Sequence, residues 1–172
     1  MIKTARLQLW ECQKVHFEVL IRGDDCFQQE FGLEVSPDFV EEDHREVLAY
    51  SLKRVQEEPQ ARRWLSYLFI HIADQTVIGM GGYKGPPDEL GRIEIGYGIA
   101  PAYRNQGFAT EAARALLLDA FTDPDVQTIF AHTLPESNAS NHILRKIGMH
   151  QSAVLNDPEE GEIWQYRIDR LE

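Results

Sequence analysis

Glu94 stands in a segment built to expose one carboxylate. In Arg92-Ile93-Glu94-Ile95-Gly96-Tyr97-Gly98-Ile99 the residues alternate. In an extended strand Ile93, Ile95, Tyr97 and Ile99 share one face, and Arg92, Glu94, Gly96 and Gly98 share the other. One face is packed; the other is nearly bare around Glu94. Glycine weakens a strand interior and marks close approach of a ligand or another backbone, or else a bulge or tight helix crossing. A carboxylate there can take a proton from a nucleophile. It can equally pair with Arg92 or with a group on a neighbouring strand. Shortly after comes Arg104-Asn105-Gln106-Gly107-Phe108-Ala109, leading from a strand into a helix. Gly107 permits unusual backbone angles and lets a ligand come near, and Ala109 is small. The first turn of the following helix offers unpaired N–H groups at the positive end of its dipole. Together they form an anion cradle that would suit a diphosphate. No GKS or GKT follows, so this is not a Walker loop, and it is not GxGxxG.

Other chemistries find little support. Cys12 and Cys26 make no CxxC and read as reduced thiols packed as small hydrophobes. The six histidines (16, 44, 71, 132, 142, 150) show no HxH, HExxH or HxxxH spacing, and no metal site is expected. A formal net charge of −11 argues against a nucleic-acid partner. That charge would suit a cationic acceptor by long-range attraction, and it also serves solubility.

These residues must be held by a framework, and the sequence outlines one. The 172 residues favour a single domain, 1–172. No apolar run reaches the ~18 residues of a membrane helix, and MIKTARLQLWECQ lacks an apolar leader core, so a cytoplasmic protein with no membrane partner is expected. Residues 4–10 read as a strand, 13–21 as a helix and 22–35 as irregular. A helix is expected from Ser36 as N-cap, through Pro37, Asp38, Val40, His44, Val47, Leu48, Ser51, Leu52 and Val55, ending at Pro59. Strands follow at 64–72, 76–83 and 91–99 as an antiparallel meander. Then come a helix from Gly107 to about Phe121, a strand at 127–134, a helix at about 139–147 and strands at about 149–155 and 162–169. The order predicts an α/β domain with helices crossing over a central sheet.

The stretch 92–121 resembles the coenzyme-binding core of the GNAT superfamily of N-acetyltransferases, whose signature Q/R-x-x-G-x-G/A is met by Arg104-x-x-Gly107-x-Ala109. The chain is most similar to the branch containing the ribosomal-protein-alanine N-acetyltransferases. Ala5-Arg6-Leu7-Gln8-Leu9 resembles that branch's opening, Glu94-Ile95-Gly96-Tyr97 its E-I-G-Y strand, and Thr110-Glu111-Ala112 its helix start. Ser140 through Met149 (SNHILRKIGM) resembles its second motif, S-x-x-x-L-x-K-x-G-F/M. Where the branch often has an asparagine three residues before the motif serine, this chain has Ser137, with Asn138 next.

The resemblance implies a mixed, mostly antiparallel central sheet with a splayed parallel strand pair and flanking helices. Acetyl-coenzyme A would lie in the splay, with its pantetheine arm held by the backbone of Gly98, Ile99 and Ala100 and an N–H near Ile99 facing the thioester oxygen. The diphosphate would sit on Arg104, Asn105, Gln106, Gly107, Phe108, Ala109 and Thr110, with Asn138, Asn141 and Arg145 on the other side. Family chemistry is direct attack by an amine, which gives no nucleophilic role to a cysteine. Glu94 matches a strand position where relatives often carry the general base. Ser140 would be either a helix N-cap or the group that protonates the leaving thiolate. The implied acceptor is a primary amine: a protein N-terminus, or a small molecule such as an antibiotic, polyamine or amino acid. A non-catalytic acyl-coenzyme-binding module is the remaining alternative, and a monomer or homodimer is expected.

Overall fold

The computed structural model describes residues 1–37, 39, 42–136 and 138–171, with residues 42–46 described by their backbone alone. β1 (Ile2–Lys3) and β2 (Leu7–Glu11) precede α1 (Lys14–Arg22), α2 (Asp24–Phe31) and β3 (Glu34–Val35). α3 (Glu42–Glu57) leads through a 3-10 turn at Pro59–Trp64 into β4 (Ser66–His71), β5 (Thr76–Tyr83) and β6 (Arg92–Ile99). After a short turn at Pro101–Tyr103 come α4 (Phe108–Ala120), β7 (Thr128–Thr133), α5 (Ala139–Lys146), β8 (His150–Asp157) and β9 (Gly161–Asp169). Among the described residues no helix is long and apolar enough to cross a membrane.

The strands form one sheet in the order β1-β2-β4-β5-β6-β7-β9-β8, with β3 beside β5. β6 and β7 run parallel but pair only from Arg92↔Thr128 to Glu94↔Phe130. Beyond that, β6 stays with β5 as far as Ile99↔Gly79, and β7 stays with β9 as far as Thr133↔Trp164. Each strand follows its antiparallel neighbour, so the two part and leave a wedge. This is the mixed, mostly antiparallel sheet with one splayed parallel pair.

Each face of the sheet carries its own core. Ile93, Ile95 and Ile99 pack with Phe108, Ala112, Ala113 and Leu116 of α4 and with Leu144 near the end of α5. On the other face Leu68, Ile70 and Val77 pack with Phe17, Leu20, Phe27 and Leu48 of α1 to α3. Cys12 is buried in that second core, and Cys26 packs against it.

Three expectations for the N-terminal half are corrected. Residues 22–35 are mostly regular: α2 starts with Asp24 and Asp25 at its positive end and stops at Gly32, whose φ of 69° ends it in the left-handed region. One large residue, Phe27, buries its only strongly apolar face, too few for a periodic signal. The next helix begins at Glu42, not at Ser36. Ser36 instead extends the β3 ladder, its N–H donating to Val77 O at 2.9 Å. Asp38 and Val40 of that expected helix, and the side chain of His44, lie outside the described residues. Trp64 belongs to the turn before β4 rather than to the strand.

Candidate active site

The wedge has two kinds of backbone edge, and hydrogen bonding separates them. Ala100 N–H donates to Ile78 O at 2.8 Å, and Lys84 N–H donates to Glu94 O at 3.0 Å. In an antiparallel pair such bonds recur at every second residue. The even-numbered residues of β6 therefore turn their backbone groups to β5, and Tyr97 and Ile99 turn theirs into the wedge, past the end of β7. Of the expected set, Ala100 has its N–H spent and Gly98 turns its backbone groups to β5, and the backbone groups that face the wedge are those of Tyr97 and Ile99. Ile99 O accepts from Arg104 Nε at 2.9 Å, which leaves its N–H directed into the gap.

The loop after β6 is shaped for an anion. Asn105 and Gly107 have φ of 61° and 84°, and Gly107 caps α4 without a side chain. The first helix N–H bonded to a backbone carbonyl is that of Glu111, on Gly107 O at 3.0 Å. Among the described residues no acceptor takes the N–H groups of 105–110. A helix start without a cap, in a groove, leaves donors for a ligand. Arg6 holds the loop from behind. Its Nη1 donates to Gln106 O at 3.0 Å, its guanidinium lies 4.3 Å from the Phe108 ring centre, and its Nε meets Glu111 at 2.7 Å.

Two cavities meet here. The larger, about 780 Å³, runs along the cradle and is lined by Gly107 to Thr110 and by Asn138, Ser140, His142 and Lys146. The smaller, about 380 Å³, lies between α3 and the glycine face of β5 and β6. Tyr97, Gly98, Ile99 and Arg104 line both. Among the described residues nothing lies within 4 Å of a Cβ built on Gly96 or Gly98, so none of them crosses the bare face there. Among the described residues the buried Tyr97 hydroxyl has no hydrogen-bond partner, and burial pushes its phenol up.

The far wall, α5, departs from expectation. Asn138 is the N-cap and shares a capping box with Asn141: each side chain accepts from the other's N–H at 3.1 Å. Asn141 also donates to Thr133 Oγ1 at 2.6 Å and is 1% exposed. It is committed to the fold and does not line the cavity. Arg145 does not line it either, and lies against Tyr166 at 5.8 Å. His142, Ile143 and Lys146 occupy the cavity side instead. The two polar ones are at i, i+4 spacing, one position on from the expected pair. An asparagine three residues after an asparagine N-cap was the signal for that box. Ser140 lines the cavity as the second helical residue. The cap is Asn138, so Ser140 is not the N-cap. Ser137 lies outside the described residues.

Glu94 lies where β6 and β7 still pair. Its side chain is 14% exposed, with Lys84 Nζ at 2.5 Å and His132 Nδ1 at 3.1 Å from Oε1. Gln165 Nε2 stands 3.2 Å from His132 Nε2. Glu94 therefore pairs with Lys84 rather than with Arg92, whose partner is Asp88 at 2.8 Å. It lines neither cavity and reaches the smaller one through Lys84. Alternation along β6 put Glu94 on the bare face, but Lys84 and His132 come from other strands and loops and left no local signal.

Comparison with known proteins bears out the family and the fold. The Acetyltransferase (GNAT) domain model matches residues 6–150. An uncharacterized N-acetyltransferase of Bacillus subtilis, YjdG, is 26% identical over 156 residues, which is 89% of this chain and 93% of that protein. Among solved structures, a ribosomal L7/L12 alpha-N-protein acetyltransferase in complex with coenzyme A superposes with a TM-score of 0.69 at 15% identity, covering 96% of this chain and 95% of that one. A spermidine N-acetyltransferase chimera from Vibrio cholerae and hSSAT gives a TM-score of 0.71 at 13% identity, covering 96% of each chain.

Proposed function

The chain belongs to the GNAT acetyltransferase family, and from that premise we propose that it transfers an acetyl group from acetyl-coenzyme A to a primary amine, in the first place a protein N-terminus. The observation that carries the reading is the junction: four residues, Tyr97, Gly98, Ile99 and Arg104, line both cavities. The residues of the larger cavity fit the coenzyme. The free N–H groups of 105–110 match a diphosphate, and the open edge of Tyr97 and Ile99 matches an extended amide-bearing arm.

Acetyl-coenzyme A supplies an activated acetyl thioester. The protein's residues supply the rest. Ile99 N–H donates to the acyl oxygen, where negative charge gathers as the amine attacks. The amine must be neutral to attack; at pH 7 an α-amine is roughly 10% neutral and a lysine amine about 0.04%. Glu94 takes its proton through a water, with His132 holding Oε1. Ser140, on the cavity wall, donates a proton to the departing sulfur and is reprotonated from solvent.

The test is a panel of peptides with free N-termini and small amines, each incubated with acetyl-coenzyme A. Free coenzyme thiol and product mass are followed together. Stoichiometric thiol release with an acetylated amine supports the reading. Acetylation of hydroxyl or thiol acceptors alone would overturn it.

A further inference from the structure

We propose that the acceptor amine carries a carboxylate close to its nitrogen, and that Arg54 and Lys84 recognise this group from the α3 side. The inference rests on the smaller cavity being the acceptor pocket. Its wall is one face of a helix: Val47, Tyr50, Ser51 and Arg54 of α3 fall at i, i+3, i+4 and i+7. Opposite lie Met80, Gly82, Gly96 and Gly98 of β5 and β6.

The charged side chains lining this cavity are Arg54, Lys84 and Arg104, from three separate elements, and among the described residues no carboxylate lines it. Two carboxylates stand behind the lining and leave capacity unused. Glu58 takes Arg54 Nε at 2.7 Å and Nη2 at 3.3 Å, which leaves the second Nη2 hydrogen of Arg54, and Glu94 takes one donor of Lys84. A lysine ammonium has three donors, and Lys84 is 65% exposed on its side chain. Arg54 Nη1 donates to Tyr50 Oη at 3.0 Å, which turns the guanidinium along the wall. Arg104 commits Nε to Ile99 O, and among the described residues its terminal nitrogens have no partner.

Local charge therefore opposes net charge. The whole chain is acidic at −11, which would suit a cationic acceptor, yet among the described residues the charged side chains lining the pocket are all cations and offer a polycation no partner. An acceptor with its own carboxylate balances the lining and places its nitrogen toward the junction. The same cations favour the neutral form of a nearby amine, the form that attacks. Val47 and Tyr50, 47% and 61% exposed, give the rest of the acceptor an apolar surface. The carboxylate can belong to a free amino acid or to an acidic side chain near a peptide N-terminus.

Matched acceptors separate these cases. L-phenylalanine, its carboxamide, the peptide amide Ala-Asp-Ala and spermidine are each tried with acetyl-coenzyme A. In parallel, calorimetry with coenzyme A present compares N-acetyl-phenylalanine with its carboxamide. The expected result is at least a tenfold preference for a carboxylate form over the neutral amide, with spermidine poorest, and loss of about tenfold of that preference in Arg54→Gln and in Lys84→Ala. Phenylalanine or the aspartyl peptide leading the series identifies the source of the carboxylate. Equal use of the carboxamide or spermidine, or full preference retained in both variants, overturns the proposal. If no amine is acetylated, the transferase reading fails, and the product-binding comparison still decides the carboxylate preference.

Discussion

Arg6 and Glu111 stand 105 residues apart in the chain, and their side chains meet at 2.7 Å. Glu111 also accepts from Arg6 N–H at 2.8 Å and from Thr4 Oγ1 at 2.6 Å. Two segments that look independent in the sequence, Ala5-Arg6-Leu7 and Thr110-Glu111-Ala112, are thus one structural unit. It fixes the start of α4 and, through Gln106 O and Phe108, the loop that forms the cradle.

This unit predicts an acid-sensitive stability. Burial pushes the Glu111 carboxyl up, but hydrogen bonds from Thr4 and Arg6 outweigh it and hold the group below its ordinary value. A carboxylate with a depressed folded pKa stabilises above its unfolded pKa and loses that contribution as pH falls through the folded one. Glu111→Gln should cost about 1.5–3 kcal/mol at pH 7. Denaturant unfolding at pH 7 and near pH 3 checks it: the gap to wild type should narrow at the lower pH.

Gly107 predicts a loss of coenzyme binding with moderate structural cost. At φ 84° a side chain is strained, by about 1–2 kcal/mol, although its nearest neighbour, Arg6 Nη2, is 3.5 Å from a built Cβ. Gly107→Val should remain folded and weaken acetyl-coenzyme A at least tenfold by calorimetry, since the branched side chain fills the approach to the cradle.

Neighbours on α5 should separate by readout. Asn141→Ala removes a buried capping group and should cost about 1–3 kcal/mol in thermal or denaturant unfolding. His142→Ala and Lys146→Ala should leave stability within about 0.5 kcal/mol and weaken coenzyme binding. The opposite assignment of effects would return Asn141 to the cavity.

The meander, the cradle and the bare face of β6 were legible because each rests on local rules: alternation, a glycine at a strand–helix corner, a helix start. What was not legible came from pairing between distant segments. The Lys84 and His132 contacts to Glu94 depend on how β5 and β7 flank β6. That Tyr97 and Ile99, rather than Gly98 and Ala100, turn their backbone groups to the wedge depends on hydrogen-bond parity with β5. The cations of the smaller cavity converge only once α3 lies across the sheet, which net charge does not reveal.

Glu94 predicts a pH signature. Glu94→Gln keeps size and removes the base, a change typically worth about 10²–10⁴-fold. The kcat should fall at least tenfold near pH 7, with acetyl-coenzyme A affinity unchanged. Part of the loss should return at high pH as the amine deprotonates by itself. A near-normal kcat across that range would leave Glu94 as the ionic partner of Lys84 and His132 alone.

Acetyl transfer is proposed to occur where the two cavities meet, and Gly98 lines that junction. Among the described residues no atom lies within 4 Å of a Cβ built there, and valine suits a strand. Gly98→Val should therefore fold with an unchanged or higher thermal midpoint. Its side chain would occupy the junction, so the rate of acetyl transfer to any accepted amine, measured by thiol release beside wild type, should fall by about 10² or more. A folded Gly98→Val protein that acetylates the same amine at the wild-type rate would contradict the account and move the reaction away from the wedge.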